Sequence, residues 1–160
     1  MATVLWESLL DDLEQQGFDP RGDGRSRLRP YLVDLVVEAE TPTTREYTRA
    51  DIVRTDVFDG LQDCFEQYDL IVSATTGTTA FRHGNKPANI DNQEIEPLRG
   101  WVLTQPYNFT GHPAASIPAG FVDGLPVGMQ IAGRRHQDST VLAASAAFER
   151  QRPWESHYPE

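Results

Sequence analysis

Apolar residues recur every three or four positions in the first half of the chain, which is the spacing of one helix face. The pattern predicts a helix that ends at Gly17, and a second, short helix that begins at Pro30. Thr43 and Glu46 have the spacing of a capping box, so a long third helix is predicted from there to about Gln67. The apolar positions of the three helices are, in order, Trp6, Leu9, Leu10 and Leu13; Leu32, Leu35, Val36 and Ala39; and Tyr47, Ala50, Val57, Phe58, Leu61, Phe65 and Tyr68.

Two residues on the third helix do not fit a simple apolar face. Arg54 falls inside the stripe, so either its aliphatic stem packs while its charged head reaches solvent, or it pairs with a carboxylate. We favour a structural pair over a contact with a ligand. Cys64 lies beside the stripe with no basic neighbour in sequence to lower its pKa, so a buried, inert thiol is expected.

The second half of the chain has the patterns of strands and turns. An unbroken apolar run, Leu70 to Val72, predicts a strand buried on both faces. The polar stretch from Gly77 to Arg99 is too long for a tight turn and is a candidate functional loop. Turn-forming "NFTGHP" and a short strand around Ser116 follow, and then Asp123-Gly124, a strong hairpin signal.

Three further residues place the ends of the last elements. Pro118 and Pro126 cannot donate to a ladder, so they are expected at strand ends, bulges or an edge. Asp138 is predicted to cap a closing helix from Thr140 to about Gln151. The pattern predicts one α/β domain over 1–160, with a helix and an exposed loop in 1–29, helices in 30–68, sheet and loops in 69–135 and the closing helix in 138–151.

The composition of the chain argues against several classes of binding partner. With 14 basic and 24 acidic residues the formal net charge is −10, which disfavours nucleic acid and anionic lipid. The single cysteine, Cys64, excludes an internal disulfide and a Cys-rich metal site. No apolar run approaches the roughly 20 residues of a membrane span, and no secretion signal is recognised, so a cytoplasmic protein is expected.

Common catalytic motifs are missing from the sequence. There is no Gly-x-Ser-x-Gly elbow, phosphate-binding loop, dinucleotide fingerprint or His-x3-His pair. Ser116 and His112 could suggest Ser–His catalysis, but strand periodicity explains Ser116 more simply, and Lys86 is the only lysine. No catalytic residue, metal site or cofactor is therefore expected. The four histidines are taken as loop or surface residues: His83, His112, His136 and His157.

Several blocks in a fixed order carry a family resemblance. "CFEQYDLIVSATTGTTA" and "LTQPYNFTGHPAASIPAGFVDGLPVGMQIAGRRHQDSTVLAASAAFE" resemble the carboxyl-terminal part of the amidase signature family. The resemblance implies hydrolysis of carboxamide C–N bonds, or transfer of ammonia from glutamine. It also implies a catalytic serine, a second serine joined through a cis peptide and a lysine, all in the amino-terminal half of the family fold. This sequence has no two adjacent serines and no Gly/Ser-rich signature, so it resembles the last third of an amidase.

The resemblance suggests one wall of a substrate pocket as the contribution of this chain. The candidate residues are Thr75, Thr76, Trp101, Asn108, Thr110 and Gly111. An alternative of equal weight is that Asn108, Thr110 and Gly111 only close a turn, through side-chain bonds to the backbone and a permissive φ.

The sequence supports two classes of function. In the first, the chain is the carboxyl-terminal segment of an amidase with a partial family fold, helices on a mixed sheet. It is inactive alone and binds a small carboxamide only together with a catalytic half. In the second, it is a noncatalytic α/β module that buries its sheet edge by self-association into a homo-oligomer. A third possibility is the tail of a glutamine-dependent transamidation subunit.

Overall fold

A computed structural model describes residues 2–30, 32–33, 42–97 and 99–157 of the chain. They belong to two compact units, Met1–Asp56 and Val57–Glu160. The expectation of a single domain stays a prediction. The helix expected from Pro30 rests on Leu35, Val36 and Ala39, which lie outside the described residues.

The first unit begins with helix α1, Ala2–Gln15. Gly17 takes φ +81°, and the N–H of Phe18 donates to the carbonyl of Leu13, so the predicted helix end is confirmed. A short 3-10 helix, Asp23–Arg27, follows within the polar stretch that was expected to be a loop. Most of this stretch is exposed, as expected, but Pro20 and Gly24 are buried.

Helix α2 spans Thr44–Gln67 and begins with the predicted capping box. The N–H of Thr43 donates to a Glu46 carboxylate oxygen at 2.8 Å, and the N–H of Glu46 donates to Thr43 Oγ1 at 3.3 Å. The Thr43 hydroxyl also donates to the same carboxylate at 2.7 Å, and this bond, together with the one from the Thr43 N–H, lowers the pKa of the Glu46 carboxyl.

The apolar stripe of α2 is buried only near its carboxyl end. Phe65 is buried, and Phe58 and Leu61 are half-buried, whereas Tyr47 and Val57 are exposed. The predicted pairing of Arg54 is confirmed, because its guanidinium lies 2.7 Å from the Asp51 carboxylate.

The expectation of a buried Cys64 is wrong, since this thiol is exposed. One residue along a helix turns the side chain by about 100°, so Cys64 does not share the buried direction of Phe65.

The main sheet has three strands in the order β1-β5-β4, with β1 at Leu70–Ala74, β4 at Ala114–Val122 and β5 at Leu125–Gly133. Both pairings are antiparallel, whereas a mixed sheet was expected. Strand β1 lies at an edge, and its Val72 is 58% exposed. The expectation of a strand buried on both faces is therefore wrong for this chain. The α/β class itself is confirmed.

The predicted hairpin joins β4 to β5. Asp123 and Gly124 have φ +51° and +77°, the two positive values that a tight turn of this twist requires. The register shifts between Pro118 and Gly120, so Pro118 borders a bulge on an edge strand as expected. Pro126 lies near the hairpin end of β5, beyond the part that β1 pairs.

The stretch from Gly77 to Arg99 contains a small hairpin. Strands β2, Asn89–Ile90, and β3, Gln93–Glu94, are joined by a turn with Asp91 and Asn92 at positive φ. This hairpin was not predicted from the sequence.

Two more helices complete the second unit. Helix α3, Gln105–Thr110, takes up the first half of "NFTGHP", and the expected turn follows at Gly111. Helix α4 spans Asp138–Gln151. The expectation that Asp138 caps α4 is wrong, because the N-cap is Gln137 and no side-chain capping bond forms. Helix α4 packs on β4 and β5. The buried apolar residues of this unit are Phe65, Tyr107, Ile117, Ile131, Ala132 and Val141.

A last 3-10 turn lies at Glu155–His157. Among the described residues, no helix has the length and apolar character needed to cross a membrane.

Candidate functional site

A row of polar side chains crosses one face of the main sheet. Ser73, Gln130 and Ser116 pair across β1, β5 and β4, and directly paired residues lie on the same face. The Gln130 amide, only 2% exposed, donates to Ser73 Oγ at 3.2 Å and to the carbonyl of Leu103 at 3.3 Å. Gln130 thereby fixes the segment that precedes α3 over the centre of the sheet.

Thr75 joins this row through a hydrogen bond above a glycine. Thr75 Oγ1 and Ser116 Oγ are 2.7 Å apart and share a hydrogen bond. A Cβ added at Gly128 would lie 2.8 Å from Thr75 Oγ1 and 2.9 Å from Ser116 Oγ. The bond therefore depends on a glycine at position 128, which leaves room for the two hydroxyls to meet across β5.

The backbone brings three predicted pocket residues together. Thr76 forms an isolated antiparallel bridge with Val102, the N–H of Gly77 donates to the carbonyl of Trp101, and the N–H of Leu103 donates to the carbonyl of Thr75. Thr75, Thr76 and Trp101 are thus neighbours on two paired segments.

Trp101 is held by its own local contacts. Its ring packs edge to face with Phe81 at 5.2 Å, and its indole Nε1 donates to the carbonyl of Pro97 at 3.3 Å. Both contacts lie within the segment that follows β1, so the polar loop and Trp101 form one local structure.

An open concavity of about 490 Å³ lies at the carboxyl end of β1. Val72, Ala74 and Thr76 alternate along one side of it, and Val127 and Met129 of β5 line another part. Of the six predicted pocket residues, Thr76 lines this concavity. The lining is mainly apolar and includes Thr76, Thr78 and Thr79, and the hydroxyl of Thr76 donates to the carbonyl of Thr78 at 2.8 Å. Such a surface suits an uncharged ligand.

The other three predicted pocket residues lie at the end of α3. Asn108 is exposed, whereas Thr110 is buried and its hydroxyl donates to the carbonyl of Pro106 at 2.8 Å. Gly111 ends the helix at φ +70°, and its N–H donates to the carbonyl of Tyr107. Thr110 and Gly111 therefore make the turn-closing contacts of the structural alternative. A direct role of these three residues in a pocket stays a prediction.

Two titratable side chains are buried around α3. Burial raises the pKa of the Tyr107 phenol, although a hydrogen bond with Ser73 lowers it in part. Burial lowers the pKa of His112, and the nearby Arg135 guanidinium lowers it further. His112 is in a loop, as expected, but it is not at the surface.

The Ser116–His112 pair considered from the sequence does not form. Ser116 bonds to Thr75, and the two ring nitrogens of His112 lie against Thr110 and Gln62. Within the part of the chain that the structure describes, no group of three or more His, Cys, Asp or Glu side chains could hold a metal ion.

Sequence reasoning missed the polar row and the buried histidine. One signal was available: Gln130 is the only polar side chain within the predicted strand "VGMQIAG", and a lone amide in an apolar strand indicates a buried hydrogen-bonding group. Nothing in the sequence indicates that Gly128 makes room for the hydrogen bond between Thr75 and Ser116, because this depends on which strands lie on either side of β5.

Comparisons with known proteins agree on one family. A family profile described as Amidase matches residues 25–142. An acylamidase of Rhodococcus erythropolis is 38% identical over 138 residues, which cover 84% of this chain and 29% of that protein. One of the subunits of the glutamyl-tRNA(Gln) amidotransferase of Lacticaseibacillus casei is 41% identical over 113 residues, 71% of this chain and 22% of that protein.

A solved structure supports the same assignment. The crystal structure of a bacterial aryl acylamidase of the amidase signature family superposes with a TM-score of 0.83 at 36% identity. The match covers 99% of this chain and 33% of that one. The chain thus spans no more than about a third of the relatives that it matches. On the profile match over 25–142 and on this superposition, the chain belongs to the amidase family.

Proposed function

We propose that this chain is the carboxyl-terminal segment of an amidase, where it supplies sheet and one wall of the substrate pocket. In the complete site, a serine, a cis-linked serine and a lysine from outside these 160 residues hydrolyse a carboxamide C–N bond. The chain alone is inactive in this proposal.

The concavity at the end of β1 is the observation that carries the proposal. It combines apolar side chains, Val72 and Met129 among them, with the hydroxyl-bearing Thr76, and such a wall can hold the carbon skeleton of a small amide. The described residues that line it include no histidine, cysteine, lysine or carboxylate. A wall of this kind orients a substrate but cannot activate a nucleophile, which matches a division of labour with a separate catalytic part.

The roles in the reaction follow from the family resemblance. The lysine takes a proton from the bridging serine, which activates the nucleophilic serine for attack on the amide carbon. Backbone N–H groups hold the oxyanion. Residues such as Thr76 and Trp101 of this chain would then fix the substrate so that its carbonyl faces the nucleophile.

A chimera tests the proposal. The matching segment of the Rhodococcus erythropolis acylamidase is replaced by this chain, and hydrolysis of an aryl amide is measured beside the isolated chain. We expect turnover by the chimera and none by the chain alone. Thr76→Val in the chimera is expected to raise KM or lower kcat by a few-fold. The matched control Thr48→Val, on the exposed side of α2, is expected to leave both unchanged.

Two results would contradict the proposal. A folded chimera that binds no amide would show that this chain does not form a pocket wall. Turnover by the isolated chain that survives both Ser116→Ala and Lys86→Ala would show that the catalytic machinery lies elsewhere in these 160 residues.

Self-association is a second candidate function, and the exposure of edge strand β1 favours it. Val72 is 58% exposed beside Ala74, which is also exposed, so a second copy could bury this face. A monodisperse monomer by light scattering at micromolar concentration, without binding of an apolar dye, would count against it.

A role as the tail of a transamidation subunit is favoured by the relative from Lacticaseibacillus casei, which belongs to a glutamyl-tRNA(Gln) amidotransferase. In that case the chain would work within a multi-subunit enzyme. Release of ammonia from glutamine by a chimera with that subunit would distinguish this role from aryl amide hydrolysis.

A further inference from the structure

His112 is a buried histidine that the proposed pocket does not use. It is 6% exposed and lies between two aromatic rings of α2, with centroid distances of 5.5 Å to Phe58 and 5.3 Å to Phe65. A polar ring in such surroundings needs a partner at each nitrogen, because an unpaired buried nitrogen is costly. The partners therefore indicate what the ring does.

The hydrogen bonds of Thr110 assign the proton on Nδ1. Thr110 Oγ1 lies 2.8 Å from the carbonyl oxygen of Pro106 and 2.7 Å from His112 Nδ1. A carbonyl oxygen only accepts, so the single hydroxyl proton of Thr110 goes to Pro106. Thr110 Oγ1 must then accept from His112, which places a proton on Nδ1.

The second ring nitrogen contacts α2. The side-chain amide of Gln62 lies 3.2 Å from His112 Nε2, with its oxygen toward the ring. A neutral ring protonated at Nδ1 has an acceptor at Nε2, which requires the amide NH₂ of Gln62 instead of its oxygen. A half turn of the amide exchanges these two atoms at almost the same positions. The orientation of the Gln62 amide therefore follows the charge of His112.

The surroundings favour the neutral ring. Burial lowers the pKa of His112, and Arg135, whose guanidinium carbon lies 5.8 Å from the Phe58 ring centre, lowers it further. The contacts of the ring on α2 and α3 are with uncharged side chains: Phe58, Gln62, Phe65 and Thr110. No carboxylate contacts the ring in the part of the chain described, so a proton taken up there would stay uncompensated.

We propose that His112 is a pH-dependent positioning residue that, as a neutral Nδ1–H imidazole, ties the carboxyl-terminal turn of α3 to α2 through Thr110 and Gln62. When the ring gains a proton, the Gln62 amide turns, and the charge is left beside Arg135. Both hydrogen bonds persist in the charged ring, but the buried charge beside Arg135 costs free energy, and this cost destabilises the turn that carries Asn108, Thr110 and Gly111. The importance of this contact for catalysis rests on the proposed function, whereas the contact itself is formed within this chain, without a catalytic half.

Nuclear magnetic resonance of the full 160-residue chain tests the tie without any substrate. We expect His112 to show the Nδ1–H tautomer and to titrate below the ordinary value of 6.5. The side-chain NH₂ of Gln62 and the backbone N–H of Gly111 should shift at the same pH as the ring. An Nε2–H tautomer, or titration of His112 at 6.5 without a change at Gly111, would overturn the proposal.

Variants separate positioning from packing. Thr110→Val removes the acceptor for Nδ1–H and should abolish the tautomer preference, whereas Thr110→Ser should restore it. His136→Asn is the matched control, because His136 is exposed and has a positive φ that asparagine tolerates. It should leave the pH dependence of the Gly111 N–H chemical shift unchanged. If the Gly111 N–H shift has the same pH dependence in Thr110→Val and Thr110→Ser, His112 does not tie α3 to α2, even if the chimera proves active.

The free energy of unfolding gives a second measurement. Because the folded pKa of His112 lies below its unfolded value, the unfolded chain binds the proton more readily. Stability should therefore fall as the pH drops below 6.5, and the fall should be smaller in His112→Gln, which cannot gain a charge. An equal acid dependence in both proteins would show that His112 is not the responsible group.

Discussion

Gly128 lies beneath the hydrogen bond between Thr75, which directly follows β1, and Ser116 of β4, and the bond depends on the missing side chain of Gly128. In Gly128→Ala, the new methyl group would push against Thr75 Oγ1 and Ser116 Oγ, which lie 2.8 and 2.9 Å from the Cβ position. We expect a loss of about 1–3 kcal/mol in the free energy of unfolding, as for other overpacked sites. Urea titration followed by circular dichroism measures it.

Gly60 provides the matched control for that substitution. It lies inside α2, and apart from the helix's own backbone no described atom lies within 4 Å of a Cβ position, so Gly60→Ala gains helix propensity without a steric clash. We expect a gain of about 0.5–1 kcal/mol, opposite in sign to the effect at Gly128. The same sign in both variants would show that close approach at Gly128 is not what matters.

Single residues were the least predictable part of this chain. The partner type of Arg54 and the cap at Thr43 follow from neighbours three residues away in sequence, and both predictions are confirmed. The exposure of Cys64 and the burial of His112 depend on which element lies opposite, and sequence spacing does not contain that information. The same holds for the six predicted pocket residues, since of these only Thr76 lines the concavity at the end of β1.

The β4–β5 hairpin is an element whose turn can be tested by itself. Asp123 and Gly124 both have positive φ, and glycine is the residue for which this conformation costs least. Gly124→Ala should lower the free energy of unfolding by about 1–2 kcal/mol, the penalty of a Cβ in this conformation.

Asp123→Asn is the control within the same turn. Asparagine followed by glycine is the strongest pair for such a turn, so this variant should match or slightly exceed the stability of the parent chain. If Gly124→Ala unfolds at the same urea concentration as Asp123→Asn, the turn conformation does not limit stability.

Helices and strands could be predicted where the apolar residues repeat with a single regular spacing. The spacing of three and four predicted α1 and α2, and the turn residues predicted the hairpin. The pattern does not predict the short helix α3, because its six residues contain too few apolar positions to show a period. The sequence predicts Asp138 one position away from the observed cap, because cap and first-turn residues are adjacent and favour the same side chains.

At the scale of the whole molecule, the apolar face of β1 around Val72 is exposed in the part of the chain that the structure describes. Val72→Thr exchanges a methyl for a hydroxyl on this exposed face and keeps a β-branched side chain. We expect less binding of an apolar dye and less self-association, with the free energy of unfolding changed by no more than about 0.5 kcal/mol. Fluorescence and light scattering measure the two effects.

Val141→Thr is the buried counterpart of this change. Val141 is 3% exposed on α4, so the same hydroxyl would be buried there and should cost about 1–3 kcal/mol. If Val72→Thr destabilises the chain as much as Val141→Thr does, the β1 face is not open in solution.

The strand order also determines when the sheet can form during synthesis. The central strand β5 is the last of the three along the chain. Leu70 of β1 pairs with Gly133, so this pair can form only after residue 133 has been synthesised. A ribosome that adds about 5–20 residues per second leaves β1 without its partner for several seconds. In that interval, the nascent chain displays an unpaired apolar strand that a holdase chaperone can bind, so synthesis speed between β1 and β5 should affect the yield of folded protein.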